Sequence, residues 1–483
     1  MSDLSFKSAI ELAADIREGR IGSLEMLNHF IDRVERFDNQ LNAVVVRDFE
    51  RARARATEAD AALARGESWG PLHGLPMTVK ESFDVAGLPT CWGVPEMKDH
   101  VPETDGVAIQ RLKAAGVVIF GKTNIPFMLA DFQSYNAVYG TTHNPWKHGH
   151  TPGGSSGGGA AALAAGMTTL EYGSDIGGSI RNPAHYSGVF GHKPTWGIVP
   201  LRGHSLSGAL SPTDLSCIGP LARSTDDLEL ALDLTAGADR PHAGGWKLDL
   251  QPGPDSVRGL KVALWLDDPM SEVDERVKAR VAAAAQALAD AGAEIDDTAR
   301  PAFDAEDCHG IYMQLLHGAL AGRQPDGMFE ETLKTLDGLS DDDRSGHAML
   351  VRAQTMRHRT WIQLNEARTA MRWAWADFFD RYDVLLCPTA AVPAFPHDES
   401  DDMNARKLTV NGRQVPYFDQ LFWAGMIGVS YLPATMYPAG LTDDGLPVGV
   451  QIVGPELGDR RTLAVSRMLE QIMGGFQAPP GYE

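Results

Sequence analysis

The sequence predicts an α/β protein whose 483 residues fold as one large domain around a largely parallel sheet. Three observations predict this class. Short apolar strand patterns alternate with helical patterns through to about residue 200. No Pro- or Ser-rich linker divides the chain, and it has no internal repeat or low-complexity tail. Hydrophobic residues make up 43% of the chain and charged residues 22%, which is ordinary for a globular protein with a large core.

The individual elements follow from hydrophobic periodicity, which is about 3.6 residues in helices and two in strands. Ser8 and Glu11 have the spacing of a capping box and begin the first helix. Further helices are predicted from about residue 23, over residues 48–65, 107–115 and 160–165, after residue 273, within a polar stretch at 300–350, and over 355–381 and 459–473. Strands are predicted at Met77–Val79, Val117–Phe120, Met167–Tyr172, 260–265, Val384–Leu386 and Val448–Val453, and Asn411-Gly412 predicts a hairpin within Lys407–Val415.

The charge of the chain excludes several classes of partner. Acidic residues outnumber basic ones by 64 to 43, and the net charge of −21 argues against a broad basic surface for nucleic acid or an anionic membrane.

No stretch approaches about 18 consecutive apolar residues, so we expect no membrane-spanning helix. The N-terminus lacks the basic and apolar regions of a signal peptide, and we therefore expect a cytoplasmic protein.

The four cysteines do not form a metal-binding pattern. Cys91, Cys217, Cys308 and Cys387 lie far apart and include no CxxC motif. Zinc and iron–sulfur sites generally use closely spaced cysteines. We therefore expect buried free thiols in a reducing compartment, and no metal site.

Two familiar motifs occur out of context. Residues 116–123 match the phosphate-loop pattern GxxxxGK[ST], but their internal residues are bulky and apolar and predict a strand rather than a loop of exposed amides. Residues 153–157 match the GxSxG nucleophile elbow, which requires a strand directly before it. The preceding stretch, 144–152, contains two prolines and cannot be that strand. Neither nucleotide binding nor an elbow role for Ser155 is expected.

Two serines framed by glycine, Ser155 and Ser179, stand on either side of the helix and strand predicted at 160–172. Glycine neighbours let the backbone approach whatever a serine contacts, so the two hydroxyls are expected in one preorganised site. Ser179 is the better nucleophile candidate because it follows a strand, and the amides of residues 176–179 can form an anion-binding nest. Acyl transfer requires this combination of a hydroxyl and backbone donors for an oxyanion.

A serine nucleophile also needs a base. Histidine is the usual one, and the chain has 15. Lys80 is the other candidate, because it ends a buried strand where desolvation would lower its pKa. Taken alone, however, Lys80 fits an ion-paired lysine at a strand end even better, and the residues by themselves leave the choice open.

Six motifs are spread over nearly the whole chain. They are Pro76-Met-Thr-Val-Lys80-Glu-Ser-Phe-Asp, Pro152-Gly-Gly-Ser155-Ser156-Gly-Gly, Gly173-Ser-Asp175-Ile-Gly-Gly-Ser179-Ile-Arg181-Asn-Pro, Gly191-His-Lys-Pro-Thr-Trp-Gly197, Gly219-Pro-Leu-Ala-Arg223 and Gly449-Val-Gln-Ile-Val-Gly454. Together they resemble the amidase signature family. The resemblance implies one α/β domain over residues 1–483 with a central mixed sheet sandwiched by helices. It also implies a core signature region at about 70–225 and a more variable substrate-pocket region at about 300–430.

The resemblance further implies a Ser–cisSer–Lys triad. Ser179 would be the nucleophile, Ser155 the bridge that takes its proton, and Lys80 the general base. The peptide bond before the bridging serine, Gly154–Ser155, would be cis. The oxyanion hole would consist of the backbone amides of Ile176, Gly177, Gly178 and Ser179, and the supporting residues would be Gly154, Ser156, Asp175 and Arg181.

The implied activity is hydrolysis of a carboxylic amide to the acid plus ammonia or an amine, with esters as side substrates and no metal or organic cofactor. The density of Trp, Met and Phe in residues 300–380 and 417–431 predicts a medium-sized, partly apolar or aryl amide as the small-molecule substrate. We expect no nucleic-acid or membrane partner, and a homodimer is left open. The other pocket candidates are Phe127, Met128, Asp131 and Gln133.

Two other functions compete with this one. The glutaminase component of a tRNA-dependent amidotransferase carries the same signature and works only with partner subunits, although Asn182 stands where that component is expected to have Gln. A catalytically silent binding protein with the same fold is disfavoured, because all three triad positions are filled. Glutamine turnover and labelling by serine-directed probes would separate the three functions.

Overall fold

A computed structural model describes residues 4–205, 209–322 and 324–483. Its helices are α1 (Ala9–Arg17), α2 (Ser23–Leu41), α3 (Phe49–Ala64), α4 (Val107–Ala114), α5 (Gly157–Ala164), α6 (Arg181–Ser187), α7 (Thr225–Thr235), α8 (Glu275–Asp290), α9 (Ala305–Ala321), α10 (Asp326–Gly338), α11 (Gly346–Gln354), α12 (His358–Phe379), α13 (Leu421–Val429) and α14 (Asp459–Met473). Its strands are β1 (Val44–Arg47), β2 (Pro76–Lys80), β3 (Val118–Thr123), β4 (Tyr135–Asn136), β5 (Gly140–Thr141), β6 (Glu171–Asp175), β7 (Phe190–Lys193), β8 (Cys217–Ala222), β9 (Lys261–Leu264), β10 (Glu294–Asp296), β11 (Val384–Cys387), β12 (Lys407–Val410), β13 (Arg413–Pro416), β14 (Ala434–Leu441) and β15 (Pro447–Val453).

The main sheet has eight strands in the order β10–β9–β11–β15–β14–β7–β8–β6. Strands β10, β9 and β11 run parallel to one another, whereas the pairs from β11–β15 to β8–β6 are antiparallel. Helices flank the sheet. Helices α8 and α14 pack on β14, β15 and each other, α6 packs on the same two strands, and α5 packs on α6, β6 and β8. The mixed sheet between helices is therefore confirmed.

The prediction of a largely parallel sheet, which was based on the alternation of strands and helices in the sequence, is wrong. Alternation predicts parallel pairing only where a helix crosses over between neighbouring strands, as α8 does between β9 and β10. Strands β14 and β15 are instead joined by a tight turn, in which the Thr442 amide donates to the Leu446 carbonyl (2.8 Å). A short connection of this kind permits only antiparallel neighbours.

A second sheet, β1–β3–β2, carries the start of the candidate site. β2 and β3 are buried along their whole length and pair in parallel, so that Lys80 lies opposite Thr123. The phosphate-loop lookalike at 116–123 contributes six of its residues to β3, which confirms that it is a strand. Strand β2 also contacts β6 of the main sheet, and this contact joins the two sheets beside Lys80.

The strand predicted at Met167–Tyr172 lies farther along the chain, at Glu171–Asp175. The Met167 amide closes the end of α5 by donating to the Ala162 carbonyl (2.8 Å), and the Thr168 hydroxyl accepts from the Thr78 amide (3.0 Å). These hydrogen bonds, one within the end of α5 and one to β2, hold Met167 and Thr168 outside the main sheet. The shift brings the loop with Ser179 directly after the last residue of β6.

Several local predictions are confirmed. Ser8 and Glu11 form the capping box of α1. Asn411 and Gly412 connect β12 to β13 with positive φ angles of 49° and 78°, as a two-residue hairpin turn requires. The cysteines named above are free and buried. Within the described ranges, no helix is both long and apolar enough to cross a membrane.

Candidate active site

The site forms where three chain segments meet. Lys80 is the last residue of β2, Ser155 lies in the loop before α5, and Ser179 lies in the loop after β6. The Ser156 amide donates to the Ser179 carbonyl (3.1 Å), which holds the two serine loops together. The structure therefore brings the three predicted triad residues, distant in sequence, to one buried location.

The amine of Lys80 is surrounded by hydroxyl groups. Its Nζ donates to the Oγ atoms of Ser155 (2.7 Å), Ser156 (3.0 Å) and Ser174 (2.9 Å), and the side chain is fully buried. None of the carboxylates in the described parts of the chain forms an ion pair with it, so the strand-end ion pair considered above is wrong. Burial lowers the pKa of Lys80 to about 7, although the charges of Asp175 and Glu171 act in the opposite direction. A substantial fraction of this lysine is thus a neutral amine at neutral pH.

Ser174 is a site residue that the sequence reasoning missed. The Ser174 hydroxyl accepts a hydrogen bond from Lys80. The backbone amide of Ser174 also donates to Ser156 Oγ (3.4 Å). A Cβ on Gly173 would lie 2.7 Å from Ser156 Oγ, so the strand must carry glycine there. The only signal in the sequence was the serine between Gly173 and Asp175, which shows no function until the register of β6 is known.

The loop that carries Ser155 depends on close backbone packing. The Gly154–Ser155 peptide bond is cis, as the resemblance implied. A Cβ on Gly154 would lie 2.2 Å from the Asp131 carbonyl oxygen, and one on Gly153 would lie 2.6 Å from Pro183 Cα. Neither position accepts a side chain, which explains why glycines precede the serine.

A buried ion pair shapes the loop that carries Ser179. Arg181 donates from Nη2 to Asp175 Oδ1 (2.7 Å) and from Nε to Oδ2 (3.0 Å), and both side chains are fully buried. Burial alone would raise the pKa of Asp175, but the adjacent Arg181 guanidinium lowers it well below its usual range. The remaining Arg181 nitrogen donates to the Ala424 carbonyl (3.0 Å) and to Gln451 Oε1 (2.7 Å). The pair therefore ties the loop to α13 and β15.

The same carboxylate changes the predicted oxyanion hole. Asp175 Oδ1 accepts from the Gly178 amide (2.9 Å), so this amide is not free to bind an oxyanion. In the described part of the chain, the amides of Ile176, Gly177 and Ser179 have no acceptor. The candidate hydrogen-bond donors to an oxyanion are therefore these three amides rather than the four that were predicted.

Two of the predicted pocket residues are engaged within the protein. Asp131 is buried and accepts from Arg406 Nη1 (2.6 Å) and from the Tyr417 hydroxyl (2.5 Å). Gln133 exchanges two hydrogen bonds with the backbone of Asp398 (2.7 and 2.9 Å). Both side chains hold the segment before Ser155 against residues 398–417, and their polar atoms are not free for a substrate.

The other two pocket candidates lie on a strained surface turn. Phe127 is 53% exposed, and Met128 has a φ of +51°, which is uncommon for a residue with a side chain. The Met128 amide donates to the carbonyl of Trp92 (2.9 Å), which itself has a φ of +56°. Among the described residues, no group of three or more His, Cys, Asp or Glu side chains is arranged to hold a metal ion.

The chain is similar to known proteins over nearly its whole length. A profile of the family described as Amidase matches residues 25–463. The chain is 33% identical to the indoleacetamide hydrolase of Bradyrhizobium diazoefficiens, over 97% of this chain and 86% of that protein. It is 32% identical to the A component of the glutamyl-tRNA(Gln) amidotransferase from Synechococcus sp. (strain CC9902), over 94% of each chain.

Solved structures show the same relationship. The crystal structure of a bacterial aryl acylamidase of the amidase signature family superimposes with a TM-score of 0.82 at 26% identity, covering 97% of this chain and 96% of that one. The chain therefore belongs to the amidase signature family and is a hydrolase of carbon–nitrogen amide bonds.

Proposed function

We propose that the chain is an amidase that hydrolyses carboxylic amides through an acyl-enzyme on Ser179. The observation that carries this proposal is the hydrogen bond of 2.7 Å between Lys80 Nζ and Ser155 Oγ, together with a Lys80 pKa of about 7. The three donated hydrogen bonds are those of the charged ammonium form. The neutral amine has two N–H groups and a lone pair, so it can instead accept the proton of the Ser155 hydroxyl. Lys80 is then the base, Ser155 the bridge and Ser179 the nucleophile.

These three side chains and one water molecule account for every proton transferred in the reaction. Ser179 Oγ attacks the amide carbonyl while its proton passes to Ser155, whose own proton passes to Lys80. The carbonyl oxygen becomes an oxyanion that the amides of Ile176, Gly177 and Ser179 stabilise. The C–N bond then breaks, and the leaving amine takes the proton from Lys80 through Ser155. Water releases the acid in a second round of the same steps, and an ester follows the same route with an alcohol as the leaving group.

The electrostatics of the buried site favour its neutral form. Burial raises the pKa of Glu171 to about 8, even though the hydroxyls of Thr78 (2.5 Å) and Thr123 (3.1 Å) donate to it. Burial shifts Lys80 toward its neutral amine as well. The site thereby avoids a buried uncompensated charge, while the Asp175–Arg181 pair stays charged because each member neutralises the other.

For the substrate, we propose a medium-sized, partly apolar or aryl amide. Helices α9 and α13 bring an aromatic and an aliphatic side chain to the Ser179 loop, since a Cβ on Gly177 would lie 2.9 Å from both the Tyr312 hydroxyl and Leu421 Cδ2. The ring of Phe422 lies 5.9 Å from that of His309 on the facing helix. An indoleacetamide hydrolase and an aryl acylamidase among the similar proteins support an aromatic substrate.

The second candidate function is the glutaminase component of a tRNA-dependent amidotransferase. The 32% identity to such a component over 94% of both chains favours it. Asn182 argues against it, since Gln was expected there. Asn182 Oδ1 accepts from the Gly154 amide (3.3 Å), so this position directly supports the Ser155 loop.

A substrate panel tests both functions. We expect purified protein to hydrolyse phenylacetamide, indole-3-acetamide and an acyl anilide, and not L-glutamine. Lys80→Met should abolish turnover, whereas Lys122→Met should retain it. Lys122 is the matched control because it is equally buried on the adjacent strand but donates to the Pro89 carbonyl (2.5 Å) and Thr90 Oγ1 (2.7 Å). Turnover of small charged amides alone would refute the substrate class, and glutamine turnover would favour the second function.

A further inference from the structure

A buried tyrosine on α9 reaches the proposed oxyanion hole. Tyr312 lies on α9, is fully buried, and donates from its hydroxyl to the Ile176 carbonyl (3.3 Å). Burial raises the pKa of Tyr312 well above its ordinary value, so the phenol remains a donor at working pH. The hydrogen bond joins α9 to the first peptide of the Ser179 loop.

The ring of Tyr312 is held in a fitted position. A Cβ on Gly425 of α13 would lie 2.4 Å from Tyr312 Cδ1 and Cε1, so this helix can pack there only because it carries glycine. On the other side, a Cβ on Gly177 would lie 2.9 Å from the Tyr312 hydroxyl. The hydroxyl is therefore fixed against the Ile176–Gly177 peptide rather than free to rotate away.

The geometry of a trans peptide explains what this contact does. The carbonyl of Ile176 and the amide of Gly177 belong to the same peptide plane and point in opposite directions. Holding the carbonyl toward Tyr312 therefore directs the Gly177 N–H toward the opposite side. That N–H is one of the amides left without an acceptor in the described chain, and glycine would otherwise let the plane turn easily.

Other contacts do not replace this one. Asp175 holds the amides of Gly178 (2.9 Å) and Ile180 (3.0 Å), which lie after the Ile176–Gly177 peptide. Across the described residues, the Ile176 carbonyl accepts from Tyr312 alone. The orientation of this peptide thus depends on the hydroxyl.

We propose that Tyr312 is a positioning residue that orients the Gly177 amide toward the oxyanion. This inference rests on the proposed function, because it concerns the same acyl transfer. Tyr312→Phe removes the hydroxyl and keeps the ring. Since loss of an oxyanion donor lowers kcat by about 10²–10³ and misorientation is a partial loss, we expect kcat to fall about tenfold. KM should change less than twofold, and the acid limb of the pH profile should stay in place because Lys80 is untouched.

The matched control is Tyr437→Phe. Tyr437 is also buried and donates to a backbone carbonyl, that of Gly474 (2.6 Å), but it lies on β14 against the end of α14. We expect wild-type kcat and KM from it. Gly425→Ala is a second variant, because its added methyl group would displace the Tyr312 ring and should produce the same loss in kcat.

The experiment measures kcat, KM and the rate of fluorophosphonate labelling for these variants on phenylacetamide, with melting temperature as the check on folding. A selective fall in kcat and labelling rate for Tyr312→Phe supports the inference. Wild-type kcat in a folded Tyr312→Phe protein, or a rise in KM alone, would overturn it while leaving the amidase function intact. If the wild type itself neither labels nor turns over any amide, the proposed function falls and this inference with it.

Discussion

The low pKa of Lys80 makes the pH dependence of this enzyme a sharp prediction. The base must be neutral to accept a proton, so activity should follow the neutral fraction of Lys80 and rise with pH. With a pKa of about 7, about a tenth of the enzyme is competent at pH 6 and about nine tenths at pH 8. A lysine at its usual pKa of about 10.4 would be neutral in only about one molecule in 2,500 at pH 7.

The assay is kcat/KM for phenylacetamide between pH 5 and 9, because this substrate carries no titrating group in that range. We expect a single acid limb with a midpoint near 7. Burial also lowers the pKa of Lys122, to about 8, so Lys122→Met is the necessary control and should leave the limb unchanged. A flat profile, activity that still rises tenfold per pH unit at pH 9, or a limb that disappears in Lys122→Met would refute the reasoning.

Three further predictions concern stability and packing. Lys80→Met should stabilise the fold by up to about 4 kcal/mol at pH 7, because the lowered pKa of Lys80 disfavours folding at any pH where the unfolded chain holds the proton. Urea titrations should show that this gain in the free energy of unfolding shrinks between pH 7 and 10.5, and a destabilised variant would contradict the prediction. Asp175→Asn should lower the free energy of unfolding by about 3–5 kcal/mol, since it leaves the Arg181 charge buried and unpaired, whereas Asp226→Asn, at a surface pair with Arg467, should change it by less than about 1 kcal/mol. Gly154→Ala should abolish turnover, because its Cβ would lie 2.2 Å from the Asp131 carbonyl oxygen, and normal activity would show that the loop can move.

Local chemistry made much of the fold predictable from the sequence. The capping box of α1, the Asn-Gly hairpin and the buried strand ending on Lys80 each depend on a few neighbouring residues. Strand β14 was not foreseen because Pro438 and Gly440 interrupt its apolar pattern, yet Pro438 pairs with Gly449 in the sheet. In the sheet β14 lies between β15, which follows it in the chain, and β7, which is more than 200 residues away, and a local pattern does not carry the second pairing.

In the candidate site, too, some features could be predicted from short stretches of sequence and others could not. The residues of the proposed triad could be named from motifs, since the family pattern lies within short segments. The hydrogen-bond partners of the other candidate residues could not be named in this way. Asp131 was predicted to face a substrate, but its charge is matched by Arg406, 275 residues away. The Gly178 amide was predicted to face the oxyanion, but the Asp175 carboxylate folds back onto it.

The most direct test of the central claim is labelling by a fluorophosphonate followed by intact mass measurement. We predict one adduct per wild-type chain, none for Ser179→Ala, and slow labelling for Ser155→Ala and Lys80→Met. Ser466→Ala, a buried serine paired with Thr225 away from the site, should label as the wild type does. Full labelling of Ser179→Ala would contradict the claim, because the nucleophile would then lie elsewhere in the chain.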